Sequence, residues 1–178
     1  MSNEIASVKR WLQQVVIDLQ LCPFASLPYH QGRVRFSISK ALTPESLLTD
    51  LHSEINLLQQ TPITTVETTL MLVTEMLTDF YDYNQFLAQA DVLLVDSNWE
   101  GVFQIASFHP NYCFANTAPN DVENLTNRAP YPILHILREE SIEKVLENIV
   151  SPDDIYKRNI QTVNKLSDTQ IKALFPYL

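Results

Sequence analysis

A chain of 178 residues, 46% of them hydrophobic, is long enough to bury one substantial core and short for two. Its formal net charge of −9 argues against nucleic acid as a partner, because such binding draws on counterion release by clustered Lys and Arg. No run approaches the roughly 20 apolar residues of a membrane helix, and acidic Glu4 stands where a secretory leader would be basic.

The expectation is therefore one cytoplasmic domain with neither a membrane nor a nucleic-acid partner. Two glycines, Gly32 and Gly101, are too few and too far apart for a P-loop, a dinucleotide fingerprint or a Gly-x-Ser-x-Gly elbow. The sequence identifies no cofactor. Cys22 and Cys113 form neither a disulfide framework nor the paired spacing of a structural zinc site.

In chain order, Ile5, Val8, Trp11, Leu12, Val15, Val16 and Leu19 recur every three or four positions and predict a helix over 3–20. Cys22, before Pro23, is pushed out of the helical region and ends it. Residues 33–39 alternate, with Val34, Phe36 and Ile38 on one side and Arg33, Arg35 and Ser37 on the other, which predicts a half-buried strand. Thr43 and Pro44 open a second helix with Leu47, Leu48, Leu51, Ile55 and Leu58 facing inward, stopping before Pro62.

Residues 68–74 are β-branched and apolar and predict a fully buried strand. A helix carrying Phe80, Tyr83, Phe86, Leu87, Ala90 and Leu94 follows, and Gly101 then starts a strand over 102–108. Residues 109–132 contain four prolines, five asparagines and no period; loops this long inside a compact domain are often functional. Residues 133–137 predict the last strand, Ser141 caps a helix with Ile142, Val145, Leu146 and Ile149, and Ser151-Pro152 with Asp154 opens the helical remainder.

The order implies an α+β fold: a small four-stranded mixed sheet covered by helices, mainly on one side. The first two strands should be parallel with a right-handed crossover, in a ferredoxin-like arrangement with additional N- and C-terminal helices.

The densest polar region surrounds the 109–132 loop. His109, at a strand end and fixed by Pro110, suits a general base or metal ligand, with His135 and Glu139 as partners. Against this, His135 points with Ile133 and Leu137 and reads equally as a hydrogen-bonded core histidine. Arg33 and Arg35 stand about 7 Å apart along one strand face and could clamp an anion, joined by Arg128 and Arg138 and lined by Gln104 and Asn127. The plain alternative is a set of surface ion pairs.

The helix preceding Cys22 turns its negative end toward the thiol, which disfavours a thiolate unless Arg33, Arg35 or a histidine folds over it. The leading expectation is an enzyme acting on a small anionic molecule. The alternatives are a metal-binding, hydrolase-like protein using His109 and His135, although no His-x-x-x-His or Cys-x-x-Cys element is present, and a non-enzymatic binding module presenting Phe108, Tyr112, Phe114 and Tyr131.

Leu21-Cys22-Pro23-Phe24, Gln104 to Pro110, Asn124 to Pro132 and Leu134 to Ser141 together resemble the signature segments of a bacterial family known as domain of unknown function 1415. The resemblance spans nearly the whole chain and implies a bacterial protein of this length. It carries no activity and no catalytic residues. Cys113 and Ala129 depart from the glutamine and serine of that pattern.

Overall fold

The sheet is assembled from one fully buried strand and three partly exposed ones. In a computed structural model, which describes residues 2–146 and 152–178, β1 (Val34–Ser39), β2 (Thr68–Val73), β3 (Phe103–Phe108) and β4 (Ile133–Arg138) lie in the order β1-β2-β4-β3. β1 pairs with β2 in parallel, and β4 pairs antiparallel with both β2 and β3. All six residues of β2 are buried. A strand apolar on both faces belongs inside a sheet, and β2 takes that place.

The expected four-stranded mixed sheet and α+β class are present. The strand order is not ferredoxin-like, because that arrangement splits its β-α-β units with an intervening strand, whereas β1 and β2 are direct neighbours at one edge. Helix α3 (Pro44–Gln60), opened by a Thr43–Ser46 capping box with Pro44 in the first turn, connects them. Helix α4 (Phe80–Asp96), capped by Asp79, leads from β2 to β3.

Helices cover both faces, not mainly one. Leu47, Leu51, Ile55 and Leu58 of α3 and Tyr83, Phe86 and Ala90 of α4 pack on Met71, Leu134 and Ile136. On the other face Val8, Trp11, Leu12 and Val15 pack with Leu70, Leu72, Ile133, Val163 and Phe175. These come from α1 (Asn3–Trp11), the π-helical segment Leu12–Ile17, α6 (Pro152–Val163) and the residue after α7 (Asp168–Leu174). The terminal helices are amphipathic, so each needs a face to bury, and a sheet apolar on both sides provides it. Each fully buried Leu or Ile contributes about 1.5–3 kcal/mol.

Two boundaries differ from the sequence reading. The first helix stops near Asp18, and Gln20 adopts a positive φ of 56°, so the chain reverses before Cys22. Pro23–Ala25 then turn into the short α2 (Ser26–His30). Helix α5 (Glu139–Leu146) begins directly at the end of β4, which places Ser141 inside its first turn rather than at its cap. Ile149 and Ser151, expected in the following helical segments, lie outside the described residues.

Candidate functional site

The proline- and asparagine-rich loop closes on itself. His109 is completely buried. Its Nε2 donates to the Leu77 carbonyl at 3.0 Å and its Nδ1 accepts the Asn111 amide at 3.0 Å. With Nε2 donating and Nδ1 accepting, the ring is neutral and both nitrogens are engaged. Burial, together with rings of Phe80 and Tyr83 centred 5.4 and 5.1 Å away, surrounds it with apolar surface, and burial pushes its pKa down.

Asn124, also fully buried, accepts from the Phe114 amide and the Thr117 hydroxyl and donates to the Ala118 carbonyl. Asn127 donates to Ser107 O, and Arg128 donates to the carbonyls of Tyr112 and Pro119. A 3-10 turn over Val122–Asn127 completes the segment. The groups that made this loop look reactive hold its backbone in place.

The four arginines do not converge on one site. Arg33 Nη1 lies 2.8 Å from Glu67. Arg35 makes a two-pronged contact with Glu54 at 2.8 and 2.9 Å, and Ser37 adds a third bond to the same carboxylate. Burial acts to raise the Glu54 carboxyl, but these bonds outweigh it and the net shift is downward. Arg138 Nη2 donates to the carbonyls of Leu58, Thr61 and Val66, tying the end of α3 to β4. Gln104 and Glu139 meet elsewhere, along a shallow depression beside Asp91 and Glu100.

His135 and Arg138, unlike the others, border a partly enclosed cavity. Val34, Thr68, Leu70, His135 and Leu137 form its floor on one sheet face, with Leu70 directly across from His135. Leu12, the turn Cys22–Ala25 and Ile142 form its walls. The cavity holds about 40 Å³, room for a group of roughly three heavy atoms if one water takes ~10–15 Å³.

Thr68 settles the state of the histidine. Its single hydroxyl proton goes to the Ile136 carbonyl at 2.6 Å, so at 2.8 Å from His135 Nε2 the oxygen is an acceptor. His135 therefore carries its proton on Nε2, and the Nδ1 lone pair is left without a hydrogen bond among the described residues. Burial pushes its pKa down to about 4, so the ring is neutral near pH 7.

Cys22 lies on the same cavity, past the reversal at Gln20 and ahead of the Pro23–Ala25 turn. Burial raises its thiol pKa, which the neighbouring amides of Phe24 and Ala25 partly oppose; the Ala25 amide donates to the Cys22 carbonyl at 3.4 Å. The sequence reading placed the thiol at the negative end of the preceding helix, whereas the reversal at Gln20 comes between the two. Three more lining residues contribute buried polar atoms without hydrogen-bond partners: Arg138 Nε, Ser141 Oγ and Glu67 Oε2, the last near Arg33 but not aligned for a hydrogen bond.

Sequence reasoning thus brought in His135 and Arg138 but missed Thr68 and Ser141 and set Cys22 aside. The available signal was the Leu21-Cys22-Pro23-Phe24 segment read together with the condition that a histidine reach the thiol. His109 and His135 stand in different surroundings, and among the described residues no three His, Cys, Asp or Glu side chains gather as a metal-binding group. Among those residues, too, no helix is long and apolar enough to cross a membrane.

The chain belongs to the family described as Protein of unknown function (DUF1415), whose model matches residues 3–173. No curated protein and no solved structure matches it.

Proposed function

We propose that this family member is an enzyme that holds the apolar part of a small molecule in the Cys22–His135 cavity, with Cys22 as nucleophile and His135 as proton acceptor. One observation carries the reading: a thiol and an imidazole with an unengaged Nδ1 border the same apolar space. Thr68 orients the ring as the third member of such an arrangement does, by occupying the nitrogen that does not receive the proton.

Both groups are uncharged at rest, because burial raises the thiol and lowers the imidazole. Separating charge in an apolar cavity without a substrate is costly, so proton transfer belongs to the moment of attack. Arg33 and Arg35 are paired with acids, whereas Arg138 keeps a buried Nε without a hydrogen bond on the cavity, so a polar or anionic portion of the substrate has one cationic partner there.

Alkylation by iodoacetamide tests this without a known substrate. Native Cys22 should react in a His135-dependent way, slowing about 100-fold in His135→Gln. Gln keeps a side-chain amide to reach Thr68 but has no basic nitrogen. Cys113, whose sulfur sits near Thr117 and Asn124 instead, is the internal comparator. Equal Cys22 rates with and without His135 would overturn the proposal.

A second reading, a non-enzymatic pocket for an apolar ligand, is favoured by the neutral resting state of the pair. It predicts ligand binding that Cys22→Ser leaves intact and no His135 dependence of alkylation.

A further inference from the structure

We infer that the substrate is a small monocarboxylic acid whose carboxylate docks on Arg138 Nε and Ser141 Oγ, at the border of the cavity that Cys22 and His135 share. This rests on the Cys22–His135 reading above and adds the substrate class.

The site is built where β4 runs into α5. Arg138 is the last residue of the strand, and Ser141 and Ile142 stand in the first turn of the helix that follows it directly. All three line the cavity. Arg138 Nε and Ser141 Oγ are buried, and among the described residues neither has a hydrogen-bond partner. Buried donors without partners are costly, so two of them on one cavity point to a ligand that supplies acceptors. The first turn of a helix also carries its positive end, which favours an anion there.

Charge narrows the ligand. Glu67, the one carboxylate that lines the cavity, is 2.8 Å from Arg33, and Glu140 is paired with Lys144. Arg138 has carbonyls on Nη2 and the Phe103 ring 5.7 Å from its guanidinium carbon, yet among the described residues no carboxylate pairs with it. A monoanion matches that charge, and a dianion would overshoot it.

Size narrows it again. About 40 Å³ is room for roughly three heavy atoms, the number in a carboxylate and fewer than in phosphate or sulfate. A neutral amide has the same size but leaves the guanidinium charge unanswered. The carbon bonded to the carboxylate meets Leu12, Leu70 and Leu137, and the rest of the molecule leaves through the open side. Cys22 therefore reaches the carbon beside the carboxylate or the one after it.

Iodoacetate and iodoacetamide differ by one charge and little in shape, so their rate ratio on the full chain tests the site. In either reaction Cys22 Sγ bonds to the methylene carbon, iodide leaves with its bonding pair, and the thiol proton passes to His135 Nδ1 and on to water. The iodoacetate-to-iodoacetamide ratio at Cys22 should exceed that at Cys113 by about tenfold or more, the worth of one charge-assisted hydrogen bond. Arg138→Gln should abolish the excess, and Ser141→Ala should cut it by about threefold. Formate at constant ionic strength should protect Cys22 from iodoacetamide saturably, and formamide should not. The ratio and the formate protection are measured on the unsubstituted protein, so they stand even if Arg138→Gln fails to fold.

Equal ratios at the two cysteines, an excess that survives Arg138→Gln, or formate and formamide acting alike would overturn the inference. If iodoacetamide alkylation remains His135-dependent while iodoacetate holds no advantage, only the substrate class falls. If neither is seen, the enzyme reading falls with it.

Discussion

His109 stands just past the end of β3 and His135 in the middle of β4, on adjacent strands, yet the two rings are held in opposite ways. The first lies in the segment richest in polar side chains, with both nitrogens engaged by backbone and aromatic rings against it. The second lies on an apolar sheet face, with one nitrogen bonded and the other without a hydrogen bond among the described residues, on a cavity that Cys22 also lines. The contrast shows that density of polar residues is a poor guide to reactivity. A long loop must satisfy its own backbone groups, and the side chains that look catalytic are the means of doing so. A group becomes available where an apolar surface leaves it nothing to bond.

The largest expected effect breaks or secures that contrast directly. His109→Ala removes a buried ring and leaves the Leu77 carbonyl and the Asn111 amide without partners, a loss of about 4 kcal/mol from cavity formation and unpaired groups together. Urea unfolding would measure it. Residual folded protein should keep the reactivity of Cys22, and a variant as stable as the parent would place His109 outside the structural role assigned here.

His135 is expected to act through pH. Its folded pKa of about 4 is below the unfolded value near 6.5, so the fold favours the neutral ring. The associated stability is fully present above about pH 6.5 and is lost progressively as pH falls toward 4, by up to about 3 kcal/mol. His109, also lowered by burial, adds to the acid loss in the same direction. Comparing the parent with His135→Gln over this window isolates the share of His135; identical pH profiles would contradict the neutral ring.

Asn124→Ala should cost about 2 kcal/mol, since it leaves the Phe114 amide and the Ala118 carbonyl unpaired inside the loop. Proteolysis within 109–132 should quicken while Cys22 alkylation is unchanged. Coupling between the two would mean the loop and the cavity are one unit rather than two.

These differences also mark what could be read from the residues. The capping of α3 by Thr43 and Pro44, the alternation of Val34, Phe36 and Ile38, and the wholly apolar β2 are local patterns, and each produced the element expected of it. Strand order is not local: nothing in β1 or β4 states that both flank β2, and the amphipathic terminal helices did not announce that the second sheet face was theirs. The cavity was hidden for the same reason, because Leu12, Cys22, Thr68, His135 and Ser141 meet only through the sheet order. The Cys22 thiol is raised, as the sequence reading expected, but by burial and not by a helix end, because the left-handed Gln20 and the turn after it separate the thiol from the helix.

The smallest expected effect concerns the arginines. The Arg35 side chain is 37% exposed and meets Glu54 at the edge of the sheet, so Arg35→Leu should cost less than about 1 kcal/mol, the range of partly exposed ion pairs. Glu54 would keep its bond from Ser37, which limits the penalty further. An anion-holding strand predicts something different: phosphate or sulfate would raise the melting temperature of the parent, and the gain would disappear in Arg35→Leu. With Arg33 and Arg35 each closed on a carboxylate, added phosphate meets two neutralised pairs and must displace an intramolecular partner to bind. The melting temperature should therefore show no saturable dependence on phosphate in either protein. A saturable rise lost on substitution would return the polar face of β1 to the centre of the protein's function.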